Sequence, residues 1–155
     1  MIFRDIKLFS QNIQKNSLIV KTILKVKSEF NIIFIQELSW AIICSISSST
    51  NCKEDDIVSV VNHPNWLTFA RNSVNKSECP RVAIYVNIRL FSFCFSLRRD
   101  IIDFRDIFLV SFFNNNNIFK LMNVYSDSSH SALKYLKDTE VNIRNLLIIT
   151  SDFNI

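Results

Sequence analysis

Short apolar runs alternate with polar stretches along the first part of the chain. The alternating stretch Lys7–Gln11 predicts a strand, and the continuous apolar run within Asn31–Glu37, closed by polar residues, predicts a buried strand. Between them, Asn16–Glu29 has apolar residues near helical spacing, with Asn16 or Ser17 as the N-cap. This order predicts a β-α-β unit.

The middle of the chain is rich in β-branched and aromatic residues, a composition typical of strands. Three strands are predicted, at Trp66–Arg71, Arg81–Val86 and Phe91–Ser96. Asp106–Phe113 and Ile118–Tyr125 flank four consecutive asparagines, which predicts a β-hairpin because Asn tolerates the left-handed turn conformation. The segment between Ala41 and Asp56 gives no clear prediction.

The last part of the chain predicts one more helix and one more strand. Ser128–Arg144 has the pattern of an amphipathic helix, with Leu133, Leu136 and either Val141 or Ile143 facing inward. Leu146–Thr150 predicts a strand. The whole pattern predicts a single domain over residues 1–155 of the α/β (α+β) class, a two-sheet β-sandwich flanked by helices.

Composition fits a globular intracellular protein of the nucleus or cytoplasm. Hydrophobic residues make up 48% and charged residues 21%, and no apolar run approaches the roughly 20 residues of a membrane helix. A net charge of +4 is compatible with a polyanionic partner but does not require one. The four cysteines lack the spacing of a zinc or redox pair and are interpreted as ordinary thiols.

The chain contains no glycine, which affects every turn that needs a positive φ. Only Asn and Asp among the other residues visit this region routinely, so we expect Asn, Asp or Ser at such turns, at some cost in free energy.

Polar residues follow or close four of the predicted strands. Strand ends at one edge of a sandwich face the same surface, so these side chains are expected to converge on one site. They are Asn12, Glu37, Tyr125, Asp152 and Asn154. Taken singly, each has an ordinary explanation, such as a solvated acid or a turn former, so only the joint pattern points to chemistry.

Four motifs contribute these residues: "QNIQ", "FIQE", "NVYSDSS" and "SDFN". In this order and at these spacings they resemble the endonuclease/exonuclease/phosphatase superfamily, which has a DNase I-like fold. The chain is most similar to the endonuclease region of fungal LINE-type retrotransposon polyproteins, and the stretches "HPNWLTFAR" and "PRVAIYVN" fit that group.

The resemblance implies a Mg²⁺-dependent phosphodiester hydrolase, with Mn²⁺ as an alternative ion. Glu37 would bind the metal with help from Asn12, and Asp152 would orient or deprotonate the attacking water. Asn154 and Tyr125 would donate hydrogen bonds to the phosphate as negative charge develops. The implied partner is DNA, with no membrane and no small-molecule cofactor.

The sequence also departs from the family pattern. Ser151 stands where the family usually has Gly, and Ser128 stands where an Asn commonly follows the Tyr. The family's later Asp and its Ser-Asp-His motif have no counterpart, and His63 and His130 are interpreted as surface residues. The expectation is therefore an incomplete domain, truncated before the second half of the sandwich is complete and inactive without a missing C-terminal segment.

Two alternatives remain open at this point. The chain could be a catalytically dead remnant or interaction module that keeps the fold, or a phosphatase acting on a small or lipid phosphate. Truncation would also leave the inner face of the first sheet partly exposed to water and the last strand without a neighbour on one side.

Overall fold

The computed structural model describes residues 6–38, 43–45, 58–60, 63–70, 81–90, 94–114, 117–140 and 143–153. Ten strands and two helices lie within these ranges. In chain order they are β1 (Leu8–Asn12), α1 (Ser17–Val26), β2 (Ile32–Gln36), β3 (Ile43–Ser45), β4 (Val58–Val60), β5 (Trp66–Ala70), β6 (Val82–Asn87), β7 (Cys94–Leu97), β8 (Ile107–Asn114), β9 (Asn117–Ser126), α2 (Ser131–Asp138) and β10 (Leu146–Phe153).

The first sheet has the strand order β1-β2-β6-β5. The pair β1–β2 is parallel, because α1 crosses over between them, and β6 runs antiparallel to both β2 and β5. The predicted β-α-β unit is therefore confirmed. Asn16 is the N-cap of α1, where its side-chain oxygen accepts a hydrogen bond from the Leu18 N–H at 3.0 Å.

The second sheet has the order β10-β9-β8-β7, and a separate two-stranded sheet pairs β3 with β4. Strands β8 and β9 form the predicted antiparallel hairpin, and β10 runs parallel to β9 after the α2 crossover. No described helix is long and apolar enough to cross a membrane.

Three apolar layers hold these elements together. Helix α1 covers the outer face of the first sheet, burying Val20 and Leu24 against Ile33 and Ile35. Helix α2 covers part of the outer face of the second sheet, where Ala132 packs near Met122. Between the sheets lie alternate residues of β2, β6, β8 and β9: Ile32, Phe34, Val82, Ile84, Val86, Phe108, Val110, Phe112, Phe119, Leu121 and Tyr125. The structure is thus a two-sheet sandwich flanked by helices, as predicted.

The inner face of the first sheet is buried, although the sequence analysis predicted that it would be partly exposed to water. Ile32, Phe34 and Ile84 are 0% exposed. The expectation of a wet inner face was wrong for these strands because the long β8–β9 hairpin supplies enough apolar side chains to cover them. Strand β10 has no second neighbour among the described strands, which agrees with the expected edge.

Two details of the sequence prediction were wrong. Helix α2 is shorter than Ser128–Arg144, and its buried residue is Ala132 whereas Leu133 is 38% exposed. The described residues with positive φ are Gln14, Lys15, Glu37, His130, Glu140 and Asn145, so Asn145 alone fits the expected Asn, Asp or Ser. Tertiary contacts evidently impose these left-handed turns on residues with no intrinsic preference for them.

Candidate functional site

The carboxyl ends of β1 and β2 place Asn12 and Glu37 at the same edge of the first sheet. The strands are parallel, with Asn12 in register with Gln36, so the two loops that follow lie side by side. Backbone hydrogen bonds join these loops: the Ile13 N–H donates to Gln36 O at 3.2 Å, and the Lys15 N–H donates to Glu37 O at 3.0 Å. The predicted proximity of Asn12 and Glu37 is therefore seen at the level of the backbone.

The local conformation at this edge presents oxygen atoms. Asn12 Oδ1 accepts a hydrogen bond from the Gln14 N–H at 2.8 Å, which fixes the orientation of its amide. Glu37 has a φ of 61°, a left-handed conformation that is uncommon for a residue with a Cβ. Its side chain is half-buried and its carboxylate makes no hydrogen bond or ion pair with another residue in the described part of the chain.

Tyr125 and Asp152 are register partners at the carboxyl ends of β9 and β10. The two strands are parallel, so the backbones of these residues lie side by side at one edge of the second sheet. Tyr125 belongs to the apolar layer between the sheets and is 6% exposed. The side chain of Asp152 and all of Asn154 lie outside what the structure describes, so their predicted roles stay predictions.

A buried hydrogen-bond network joins the two strand edges. Gln36 Nε2 donates to Asn123 Oδ1 at 2.7 Å and to Ser10 Oγ at 2.9 Å. Asn123 Nδ2 donates in turn to Ile35 O and to Ala83 O, each at 3.1 Å. Gln36 immediately precedes Glu37, and Asn123 lies two residues before Tyr125, so this network connects the edge that bears Glu37 to the edge that bears Tyr125.

Charged residues of both strand edges act on the pKa of Tyr125. Burial of the phenol raises the pKa of Tyr125, and the negative charge of Glu37 raises it further. The Arg81 guanidinium lies 4.7 Å from the centre of the Tyr125 ring and acts in the opposite direction. Glu37 and Tyr125, 88 positions apart in the sequence, thus lie close enough for the charge of Glu37 to act on the pKa of Tyr125.

Arg81 belongs to an ion-pair cluster that the sequence analysis missed. Its Nε donates to Asp106 Oδ1 at 2.6 Å, its Nη2 pairs with Asp106 Oδ2, and Nη2 also donates to Asp127 Oδ2 at 3.0 Å. Burial alone would lower the pKa of Arg81, but its bonds to the two carboxylates outweigh burial and raise it. Ser129 and Arg81 together lower the pKa of Asp127. The available signal was that Asp106 begins the predicted hairpin and that Asp127 follows its last residue closely.

The residues at the first edge fit a hard divalent ion. No group of three or more His, Cys, Asp or Glu side chains gathers within the described ranges. Mg²⁺ does not need such a group, because it keeps several waters and takes one or two carboxylates together with substrate phosphate. The half-buried Glu37 carboxylate, beside the loop of Asn12, has this chemistry.

The departures from the family pattern have definite positions. Ser151 lies in strand β10, opposite Val124, and does not have a positive φ, so the backbone conformation at this position does not require glycine. Ser128 is exposed in the turn before α2. His130 is exposed, as predicted, whereas His63 is half-buried in a turn where its Nδ1 accepts from the Asn65 N–H at 3.2 Å.

Comparison with solved structures gives a structural likeness. The chain matches the endonuclease domain of TRAS1, a telomere-specific non-LTR retrotransposon, with a TM-score of 0.61 and 13% sequence identity. The match covers 95% of this chain and 58% of that domain, so the chain spans little more than half of its length. No family model matches the sequence, and no curated protein does. At this identity the likeness concerns the fold, and this chain has the DNase I-like fold of that endonuclease domain.

Proposed function

We propose that this chain belongs to a Mg²⁺-dependent phosphodiester hydrolase, a DNA-nicking endonuclease of a non-LTR retrotransposon. The observation that supports the proposal best is the meeting of the two strand edges. The edge of Asn12 and Glu37 is joined through the 2.7 Å bond between Gln36 and Asn123 to the edge of Tyr125 and Asp152. The fold likeness to a retrotransposon endonuclease domain favours DNA as the substrate.

The proposed chemistry divides between the two edges. Glu37, with Asn12, would hold Mg²⁺, which when bound polarises the scissile phosphate and neutralises the leaving oxygen. Asp152 would orient and deprotonate the attacking water. Tyr125 and Asn154 would donate hydrogen bonds to the phosphate oxygens as their negative charge increases. A tyrosine phenol is protonated at neutral pH and able to donate, and burial raises the pKa of Tyr125 further in that direction.

Nicking of supercoiled plasmid DNA in the presence of Mg²⁺ tests the proposal. Glu37→Gln and Asp152→Asn remove one charge each without a large change in shape, and each is expected to lower the rate by at least about 100-fold. Glu29→Gln and Asp138→Asn change exposed acids of the same types and serve as matched controls with unchanged rates. Equal rates for the parent, Glu37→Gln and Asp152→Asn would contradict the proposed site, and chelation of Mg²⁺ is expected to stop nicking.

A second candidate, a catalytically silent copy that keeps the fold, is supported by the histidines. His130 is exposed at the N-cap of α2, and the half-buried His63 is held within its own turn, so neither described histidine has a defined role at the strand edges. No nicking by the folded parent protein would favour this candidate. Release of inorganic phosphate from small phosphate esters would instead favour a phosphatase. The similarity to fungal elements remains a prediction from the sequence.

A further inference from the structure

The Tyr125 ring is held by a cation whose own position is fixed by two carboxylates. The Arg81 guanidinium carbon lies 4.7 Å from the ring centre. Asp106 is 0% exposed and receives two hydrogen bonds from Arg81, while Asp127 receives a third. A guanidinium with bonds in this forked arrangement can neither rotate nor withdraw without losing its hydrogen bonds to the buried Asp106 carboxylate, whose other cationic partner, Arg105 Nε, is more distant at 3.6 Å.

The backbone around the cluster ties it to both strand edges. The Tyr125 N–H donates to Asp106 O at 2.8 Å, so the residue that binds the guanidinium also binds the Tyr125 backbone. Arg81 O accepts from the Leu38 N–H at 3.3 Å, directly after Glu37. Asp127 Oδ1 also accepts from the Ser129 N–H at 3.1 Å in the turn before α2. Arg81 therefore contacts the edge of Glu37 through its backbone and the edge of Tyr125 through its side chain.

We infer that Arg81 is a positioning residue for Tyr125, holding the phenol ring at the strand edge through its planar guanidinium while Asp106 and Asp127 hold Arg81. The inference rests on the proposed function, because it assigns Arg81 a part in the same hydrolytic site. Arg81 is not free to bind phosphate as a simple cation, since both carboxylates already neutralise it. Its contribution is expected through the orientation of Tyr125.

Arg81→Lys is the informative substitution. Lysine keeps a positive charge near Asp106 and Asp127, but it lacks the planar face and the forked donors. We expect nicking to fall by about 10-fold to 100-fold, because small displacements of a group that contacts substrate have effects of that size. In a Tyr125→Phe background the same substitution is expected to cause no further loss, because Arg81 would act through the tyrosine. Additive losses would overturn the inference.

A spectroscopic measurement decides the inference even if the parent protein does not nick DNA. The chain has three tyrosines, so tyrosine labelled with ¹³C at Cζ alone gives three resonances, and Tyr125→Phe identifies one of them. Arg81→Lys is expected to shift the Tyr125 resonance and leave those of Tyr85 and Tyr135 in place. An unchanged Tyr125 resonance would overturn the inference. Absence of nicking by the parent would count against the proposed function only.

Two further variants control for folding. Arg98→Lys alters a similar fork, since Arg98 donates to both Asp100 oxygens, at 2.8 and 2.5 Å, and no described contact links this pair to Tyr125. This variant is expected to leave both nicking and the Tyr125 resonance unchanged. If Arg81→Lys does not fold, the paired change Arg81→Gln with Asp106→Asn removes the cation and the buried charge together. It is expected to shift the same resonance, and failure to do so would also overturn the inference.

Discussion

The Asn123 side chain hydrogen-bonds the two sheets to each other beside the candidate site, and its substitution should lower the stability of the fold. It is 0% exposed and takes part in three inter-sheet hydrogen bonds, with Gln36, Ile35 and Ala83. Each such bond contributes about 1 kcal/mol net, and a buried donor left unpaired on Gln36 adds to the loss. Asn123→Ala is therefore expected to lower the free energy of unfolding by about 3 kcal/mol.

A loss of this size is easy to measure. For a chain of this length, about 3 kcal/mol corresponds to a fall in Tm of about 6–12 °C, followed by circular dichroism. Asn87→Ala is the matched control. Asn87 is also a buried asparagine on a strand, 4% exposed. Among the described residues, its side chain donates to Phe30 O at 3.4 Å and accepts from the Arg89 N–H at 3.0 Å. The 3.4 Å bond is long and contributes little, so the loss of this side chain is expected to cost about 1 kcal/mol.

The isosteric change Asn123→Asp separates hydrogen bonding from packing. A carboxylate at this position has no N–H to donate to the carbonyl oxygens of Ile35 and Ala83, which Asn123 Nδ2 binds in the parent. Burial would therefore raise the pKa of this carboxyl group in the folded state above its pKa in the unfolded chain. A raised folded-state pKa means that stability relative to the parent is recovered at low pH and lost as pH rises. The difference in unfolding free energy between the parent and Asn123→Asp should therefore shrink from about pH 7 to about pH 5.

Equal losses of unfolding free energy for Asn123→Ala and Asn87→Ala would refute the reasoning.

Three further substitutions test other parts of the structure. Asp127→Asn should cost about 1 kcal/mol near neutral pH in urea titrations. Because the pKa of Asp127 is lowered in the folded state, this difference should begin to shrink below about pH 4 and be lost only as pH falls through the lower folded-state pKa; a difference that does not change with pH would contradict this. Trp66→Phe should cost about 1 kcal/mol in the same assay because it removes the 3.1 Å hydrogen bond from the indole to Leu24 O; no loss would contradict this. Glu37→Gly should leave Tm unchanged or raise it, because glycine adopts a φ of 61° without strain, while nicking is lost; a lower Tm would contradict this.

The hydrophobic pattern was sufficient to predict most of the helices and strands, because an element that packs into the core must carry apolar residues at the spacing of that element. Strand β2 is buried along its whole length, and its continuous apolar run in the sequence has this single explanation. Helix α1 and its Asn16 cap follow from side-chain spacing and from local hydrogen bonding, which depend on neighbouring residues only. The end of α2 was predicted poorly because its apolar positions beyond Asp138 are compatible with a helix but do not enforce one.

The candidate site was predictable in part for a similar reason. Strand ends can be located from the sequence, and parallel neighbours place their carboxyl ends together, so Asn12 and Glu37 could be paired in advance. The bond from Gln36 to Asn123 could not, because the two residues are 87 positions apart and each looks like an ordinary polar interruption in a strand. Arg81 was missed because its significance depends on Asp106 and Asp127, which meet only after the sheets have packed.

Backbone strain is concentrated at the site that these contacts build. Gln14, Lys15 and Glu37 account for half of the described residues with positive φ, and all three lie in the two loops that follow β1 and β2. The Lys15 N–H binds Glu37 O at 3.0 Å, so the two left-handed turns support each other. Left-handed residues with a Cβ persist only where surrounding contacts determine them, and they cluster at functional sites. Asn adopts this conformation at lower cost, as Asn145 does in this glycine-free chain, so a glutamate with a φ of 61° is consistent with the proposed role of the Glu37 carboxylate.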